Sequence, residues 1–148
     1  DDALIGFNAL AYVLPPLRSN TDKKALQEGL QDGTIDAICS HHEPLAKTAK
    51  QAPFAECKPG ISNFDTFMGL ACQLVKEGIL TPAQLVEKIA LNPAKIAGIE
   101  ASYHQTGGAV LVDPNLTWTV TKESMISQGK NTPFINSELT GKVEQVYF

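Results

Sequence analysis

Residues 34–60, TIDAICSHHEPLAKTAKQAPFAECKPG, are the stretch whose reading decides the fold. Residues 35–40 read as a short buried strand that empties into a long loop. At the strand's carboxyl end stand two adjacent histidines, His41 and His42. The loop passes Pro44, Pro53 and Pro59 before Ser62 opens a helix. In α/β proteins the carboxyl ends of parallel strands are where chemistry gathers. Two titratable imidazoles at such a place are the strongest functional signal in the chain. The alternative is that they are ordinary polar residues at a strand end, since histidine is also common on surfaces.

Upstream, the apolar run of residues 4–14 (LIGFNALAYVL) ends at Pro15-Pro16, where a ladder must stop. A strand is expected over residues 9–13. Arg18-Ser19-Asn20-Thr21 supplies helix-start chemistry for a helix over about residues 22–31, with Leu26 and Leu30 on one face and Asp32-Gly33 closing it. Strand, helix and strand then occupy the span of a βαβ unit, which implies a parallel sheet. Downstream, Ser62-x-x-Asp65 has the form of a capping box. The helix after it carries Phe64, Phe67, Met68, Ala71, Leu74 and Val75 as an apolar stripe, best read as core. Thr81-Pro82-Ala83-Gln84 is a second helix start, and Asn92-Pro93 a third that stops at Gly98. Beyond residue 98 the pattern changes to turns and three short strands, residues 109–112, 117–120 and 143–148. The chain thus divides near residue 100 into an α/β part and a small β part. His104 falls in a loop and reads as solvated.

The 148 residues, 43% hydrophobic and 19% charged, fit one globular domain with a real core. A net charge of −4 with no basic block excludes a nucleic-acid binder. No apolar run approaches the ~20 residues of a membrane span. The Asp1-Asp2 start has no basic-then-apolar leader, so no signal peptide is expected, and the missing Met suggests a mature or trimmed product. Cys39, Cys57 and Cys72 form no C-x-x-C pair and read as reduced, buried cysteines of a cytoplasmic protein.

The order of elements, with these residues at the turns, resembles the carboxyl-terminal third of a dihydroorotase of the amidohydrolase superfamily. The resemblance covers nearly the whole chain. It rests on VLPPLRS (13–19), DGTIDAICSHHEP (32–44), PFAECKPGI (53–61), the helix pair after Ser62, NPAKIAGI (92–99) and GKNTPF (129–134), six motifs in order. It implies an α/β fold: the last strand–helix units of a (β/α)8 TIM-type barrel over residues 1–100, and a segment of a small β (composite sandwich) domain over residues 101–148. In active members the last barrel strand ends in Asp-His-x-Pro-His beside a zinc centre, and the Asp both binds metal and shuttles the proton. Metal brings the pKa of water into the neutral range, and a carboxylate is a suitable shuttle next to it.

Here the pattern departs from the family at the chemistry. The motif's Asp falls on His41, its final His on Leu45, and the substrate-binding Asn of the upstream motif on Leu14. Pro59 and Gly60 match the loop whose backbone groups hold the substrate ring. His41 can replace the Asp as a metal ligand through a neutral nitrogen, but it is a poorer shuttle and brings no negative charge. Apolar Leu14 and Leu45 cannot pair a buried carboxylate, and both read as core packing. The resemblance therefore implies a non-catalytic, dihydroorotase-like protein of pyrimidine biosynthesis with no zinc of its own. Some relatives of that kind partner aspartate transcarbamoylase. The alternative is an active zinc-dependent dihydroorotase. A third possibility is a small-molecule binding or regulatory module using the old pocket. Two strands of an eight-stranded barrel expose edges and an apolar face, so the expected partner is the amino-terminal remainder of the same protein or a symmetry mate, with neither nucleic acid nor membrane.

Overall fold

The computed structural model describes residues 2–99 and 108–147; His104 lies outside them. The architecture is a small, open two-stranded sheet with several helices, a partial (β/α) remnant with a small β element and no closed barrel among the described residues. The chain falls into two compact units. One comprises Asp1–Lys24, Ser40–Phe67 and Thr119–Glu138, the other Ala25–Cys39, Met68–Trp118 and Leu139–Phe148.

Helix starts follow local chemistry. Helix α1 (Asn20–Asp32) begins where Ser19 and Asp22 bond reciprocally: the Asp22 N–H donates to Ser19 Oγ at 3.2 Å and the Ser19 N–H to Asp22 Oδ2 at 3.2 Å. Helix α2 spans Phe64–Lys76. Helix α3 (Pro82–Val86) opens with a full capping box between Thr81 and Gln84 and Pro at its first turn. It runs through a π turn, Glu87–Leu91, into α4 (Asn92–Ile96). Gly98, at φ +68°, ends that run, its N–H donating to Lys95 O.

The two strands expected at residues 9–13 and 35–40 do not form. Ala9–Ala11 is a 3-10 turn, fixed by Asn8 Oδ1 accepting from the Leu10 N–H at 3.1 Å. A strand needs a neighbouring ladder, and residues 35–38 find their partners elsewhere. Ile38 N–H donates to Lys88 O at 2.9 Å, the Lys88 ammonium donates to Ile35 O, and Asn92 Nδ2 donates to Asp36 O at 2.9 Å. The extended chain is thus pinned by the π turn rather than by a sheet. One parallel bridge remains, between His42 and Ile61. Further on, two of the expected short strands merge into β1 (Ala109–Thr119), paired with β2 (Glu138–Tyr147). Asp113 Oδ1 accepts from the N–H groups of Asn115 and Leu116, so the Asp-Pro-Asn turn residues are absorbed without reversing the chain.

The second unit has an apolar core. Ala71, Leu80 and Leu85 are buried, with Leu30, Ile38, Leu74, Val75, Ile79 and Ile89 packed against them. Phe64 is 68% exposed, against the expectation that it faces a core, and Leu26 is exposed as well. Gly141, at φ +102°, brings β2 onto α2, where a Cβ would lie 2.7 Å from Cys72 Sγ. The first unit buries small polar side chains instead: Ser62, Thr66, Asn131 and Thr132, beside Val120, Met125, Ala11 and Cys57. All three cysteines are free; Cys57 and Cys72 are buried as expected, but Cys39 is exposed. Among the described residues no helix is long and apolar enough to cross a membrane.

Candidate functional site

The expected site residues Leu14, His41, Leu45, Pro59 and Gly60 all lie in the first unit. His41 sits at φ +44°, a left-handed conformation that costs a residue with a Cβ about 1 kcal/mol or more. Its side chain is exposed, with Nε2 3.8 Å from Glu43 Oε1. His42 turns to other work. Its Nδ1 accepts from the N–H of Asn63 at 3.1 Å and of Phe64 at 3.0 Å, so the imidazole satisfies the start of α2. Accepting twice requires Nδ1 to be unprotonated, which places the ring proton on Nε2. Asn63 in turn donates from Nδ2 to Ser40 O and accepts at Oδ1 from Thr66 Oγ1.

This arrangement displaces the capping box expected at Ser62 and Asp65. Ser62 Oγ is buried with no hydrogen bond among the described residues. Asp65 Oδ1 accepts from the Ile126 N–H at 2.7 Å and the Ser127 N–H at 3.4 Å. Desolvation pushes the Asp65 carboxyl up, but the hydrogen bonds from Ser127 and Ile126 outweigh it and hold the group below the usual carboxylate range.

Leu14 is 53% exposed and Leu45 half-buried, so neither is the plain core residue expected of it. Leu45 lines a cleft of about 390 Å³ with Ala46, Thr48, Ala49, Glu56 and Lys58. Gly60 is buried at φ +127°, a conformation that favours glycine. A Cβ there would lie 2.9 Å from Glu43 Cβ and Oε2. Its N–H donates to Tyr12 O at 3.0 Å, which also accepts from Lys50 Nζ at 3.1 Å. Burial pushes the Lys50 ammonium down, with the nearby Glu43 carboxylate among the groups that oppose it.

The residue that draws these pieces together is Asn131, which the sequence marks only as part of the GKNTPF motif of residues 129–134. Asn131 is buried. Its Oδ1 accepts from the Leu45 N–H at 2.7 Å, and its Nδ2 donates to Glu43 O at 2.9 Å and Gly60 O at 3.1 Å. Its own carbonyl accepts from the Ser62 N–H at 3.0 Å. The one available signal was its place between Gly129 and Pro133 in the GKNTPF motif.

Among the described residues the candidate ligands do not by themselves make up a metal centre. Among the described residues no group of three or more His, Cys, Asp or Glu side chains converges. His42 Nδ1 is spent on α2, which leaves His41, with Glu43 as an acidic neighbour. A structural zinc site takes four ligands and a catalytic one three from protein.

No protein-family model matches the chain. It is 43% identical over 146 residues to a dihydroorotase of Syntrophus aciditrophicus, covering 97% of this chain and 34% of that one. It is 40% identical over 146 residues to a dihydroorotase-like protein of Pseudomonas aeruginosa, with 97% and 34% covered. Among solved structures, the L-hydantoinase (dihydropyrimidinase) of Arthrobacter aurescens superposes with a TM-score of 0.81 at 23% identity, covering 99% of this chain and 34% of that one. A D-hydantoinase superposes with a TM-score of 0.78 at 22% identity, with 95% and 33% covered. These two share its fold. The chain spans about a third of the length of the curated relatives it matches. Over nearly its whole length, then, the chain is homologous to one third of the dihydroorotases and dihydroorotase-like proteins of the amidohydrolase superfamily.

Proposed function

We propose that the chain is the carboxyl-terminal third of a dihydroorotase-like protein of pyrimidine biosynthesis that does not itself turn over dihydroorotate. In this reading residues 1–100 are the last strand–helix units of a barrel and residues 101–148 belong to its small β domain. The rest of the barrel covers the exposed apolar side chains Ile5, Phe7 and Leu14. The whole protein is cytoplasmic, holds no catalytic zinc and serves as a partner of aspartate transcarbamoylase. The observation that carries the reading is the chemistry at three positions. His41 stands where the family pattern has its proton-shuttling Asp, and Leu14 and Leu45 stand where it has polar groups for substrate. General acid–base catalysis of that kind is worth roughly 10² to 10⁴ in rate. Each buried charge left unpaired costs a further ~1 to 3 kcal/mol. What remains for a ligand is main chain at Pro59 and Gly60, although the Gly60 N–H already donates to Tyr12 O and its carbonyl already accepts from Asn131 Nδ2.

A second reading, an active zinc-dependent dihydroorotase, draws on the name of the Syntrophus relative. It needs metal ligands from outside this chain, with His41 as an unusual addition to them. A direct assay of ring opening and closure with added zinc separates the two. It compares the full-length wild type, His41→Asp, and the triple variant His41→Asp, Leu45→His, Leu14→Asn. The wild type and His41→Asp are expected to be inactive. Robust wild-type turnover sinks the first reading, and restoration by His41→Asp alone shows that the two leucines matter little. Co-purification with aspartate transcarbamoylase tests the partnership.

A further inference from the structure

We infer that Asn131 is the positioning residue of the candidate site. Its amide locks residues 43–45 to Gly60 and thereby sets where the main chain of Pro59 and Gly60 stands. The link to a ligand rests on the reading above; the lock itself does not. Three features carry it. First, the amide's two N–H donors go to two carbonyl oxygens from different segments, Glu43 O and Gly60 O, while its oxygen takes the Leu45 N–H. The partners are 86, 88 and 71 residues away in the chain, so no local turn can replace them. Second, the segment bearing Asn131 has no slack. A Cβ on Gly129 would lie 2.6 Å from Pro44 Cβ and 2.8 Å from Leu45 N. Third, Gly60 is itself held at φ +127° against Glu43, with its N–H on Tyr12 O, so its placement depends on where residue 43 stands.

The chemistry of the lock is specific. A side chain of this size that donates twice and accepts once is an amide. Asn131→Asp keeps the shape and the acceptor and loses both donors at neutral pH, setting a carboxylate against two carbonyl oxygens. Asn131→Ala loses everything. Protonated Asp regains one donor, so the Asp variant recovers in acid and the Ala variant does not.

The test is residue-resolved hydrogen exchange on the full-length protein. In Asn131→Asp at neutral pH, the Glu43, Gly60 and Ser62 amides are expected to exchange at least about ten-fold faster than in wild type. Amides of residues 109–118 are expected to keep their rates. As pH falls through the carboxyl range, and after correction for intrinsic exchange, the excess shrinks in Asn131→Asp and persists in Asn131→Ala. Wild-type rates at the three amides in both variants overturn the inference. So does acceleration spread equally to residues 109–118, or equal behaviour of the two variants in acid. Should neither variant fold, Gly129→Ala, which leaves the amide in place but pushes its segment off Pro44, must accelerate the same three amides; wild-type exchange there also overturns it. The ring-opening assay reads a different quantity, so an active wild type removes the proposed function without touching the lock.

Discussion

Ala71, Leu80 and Leu85 sit at the centre of one unit; Ser62, Thr66, Asn131 and Thr132 are buried in the other. The first set is hydrocarbon, and its stability scales with apolar area removed from water, at about 25 cal/mol per Å². The second is small and polar, and its stability depends on donors meeting acceptors, with Ser62 Oγ buried outside that pairing among the described residues. The difference shows in what each tolerates. An apolar core accepts another hydrocarbon of like volume, whereas Asn131 has no like-sized substitute that donates twice. The polar unit holds the candidate site, so the site's side chains can drift while its main chain stays pinned.

The largest effect should come from the apolar side. Leu80, 3% exposed, lies in the apolar cluster with Ala71 and Leu85. Leu80→Ala is expected to cost about 2 to 5 kcal/mol, read from urea unfolding of the full-length protein. Next comes Gly129→Ala, because its new methyl would meet main-chain atoms of Pro44 and Leu45 at 2.8 Å, and those cannot swing aside. Overpacking of this kind costs about 1 to 3 kcal/mol. If Gly129→Ala proves harmless while Leu80→Ala is costly, the polar unit is looser than its hydrogen bonds imply and the contrast fails.

How much of this was legible beforehand follows the same division. The starts of α1 and α3 were readable because Ser19 with Asp22, and Thr81 with Gln84, act within three residues of each other, whereas the start expected at Asn92-Pro93 is the continuation of a run from α3. The extended segments at residues 9–13 and 35–40 were visible as apolar runs. Whether they become strands depends on neighbours that periodicity does not name: Asn8 fixes residues 9–11 in a turn, and Lys88 and Asn92 take backbone groups of residues 35–38. At the site, the proposed exchange of polar for apolar residues at Leu14 and Leu45 rests on a resemblance to a family pattern and not on any local signal in the residues themselves. The part played by His42 at α2 could not be read, because Asn63 and Phe64 lie 21 and 22 residues away. Asn131 was harder still, since nothing local distinguishes a long-range amide from a loop asparagine.

A smaller effect sharpens the local end of the contrast. Thr81 Oγ1 accepts from the Gln84 N–H at 3.2 Å, and Gln84 Oε1 accepts from the Thr81 N–H at 2.9 Å. Thr81→Ala is expected to cost about 1 kcal/mol, and Thr81→Ser much less because the hydroxyl is kept. Equal losses for Ala and Ser would show that the methyl, not the hydrogen bond, matters there.

The smallest effect is a pH dependence at Asp65. Its carboxyl is opposed by desolvation but carried below the usual range by the hydrogen bonds from Ser127 and Ile126. A carboxyl lowered on folding contributes stability that is present above its unfolded value, ~3.9 for Asp, and is lost as pH falls through the folded value. The unfolded chain binds the proton first, so stability rises with pH across this window. Asp22 and Asp32 are also lowered, by hydrogen bonds at Ser19 and Thr34 respectively, so wild type alone cannot isolate Asp65. The comparison is with Asp65→Asn, which keeps an oxygen to accept from Ile126 and has no proton to gain. Wild type should lose more stability than Asp65→Asn between about pH 5 and the low-pH limit, with the Ile126 and Ser127 amides losing protection in step. Parallel pH curves for the two proteins would mean that the Asp65 bonds to residues 126 and 127 add nothing beyond a neutral contact, and the polar unit would then rest on Asn131 with less help from charge.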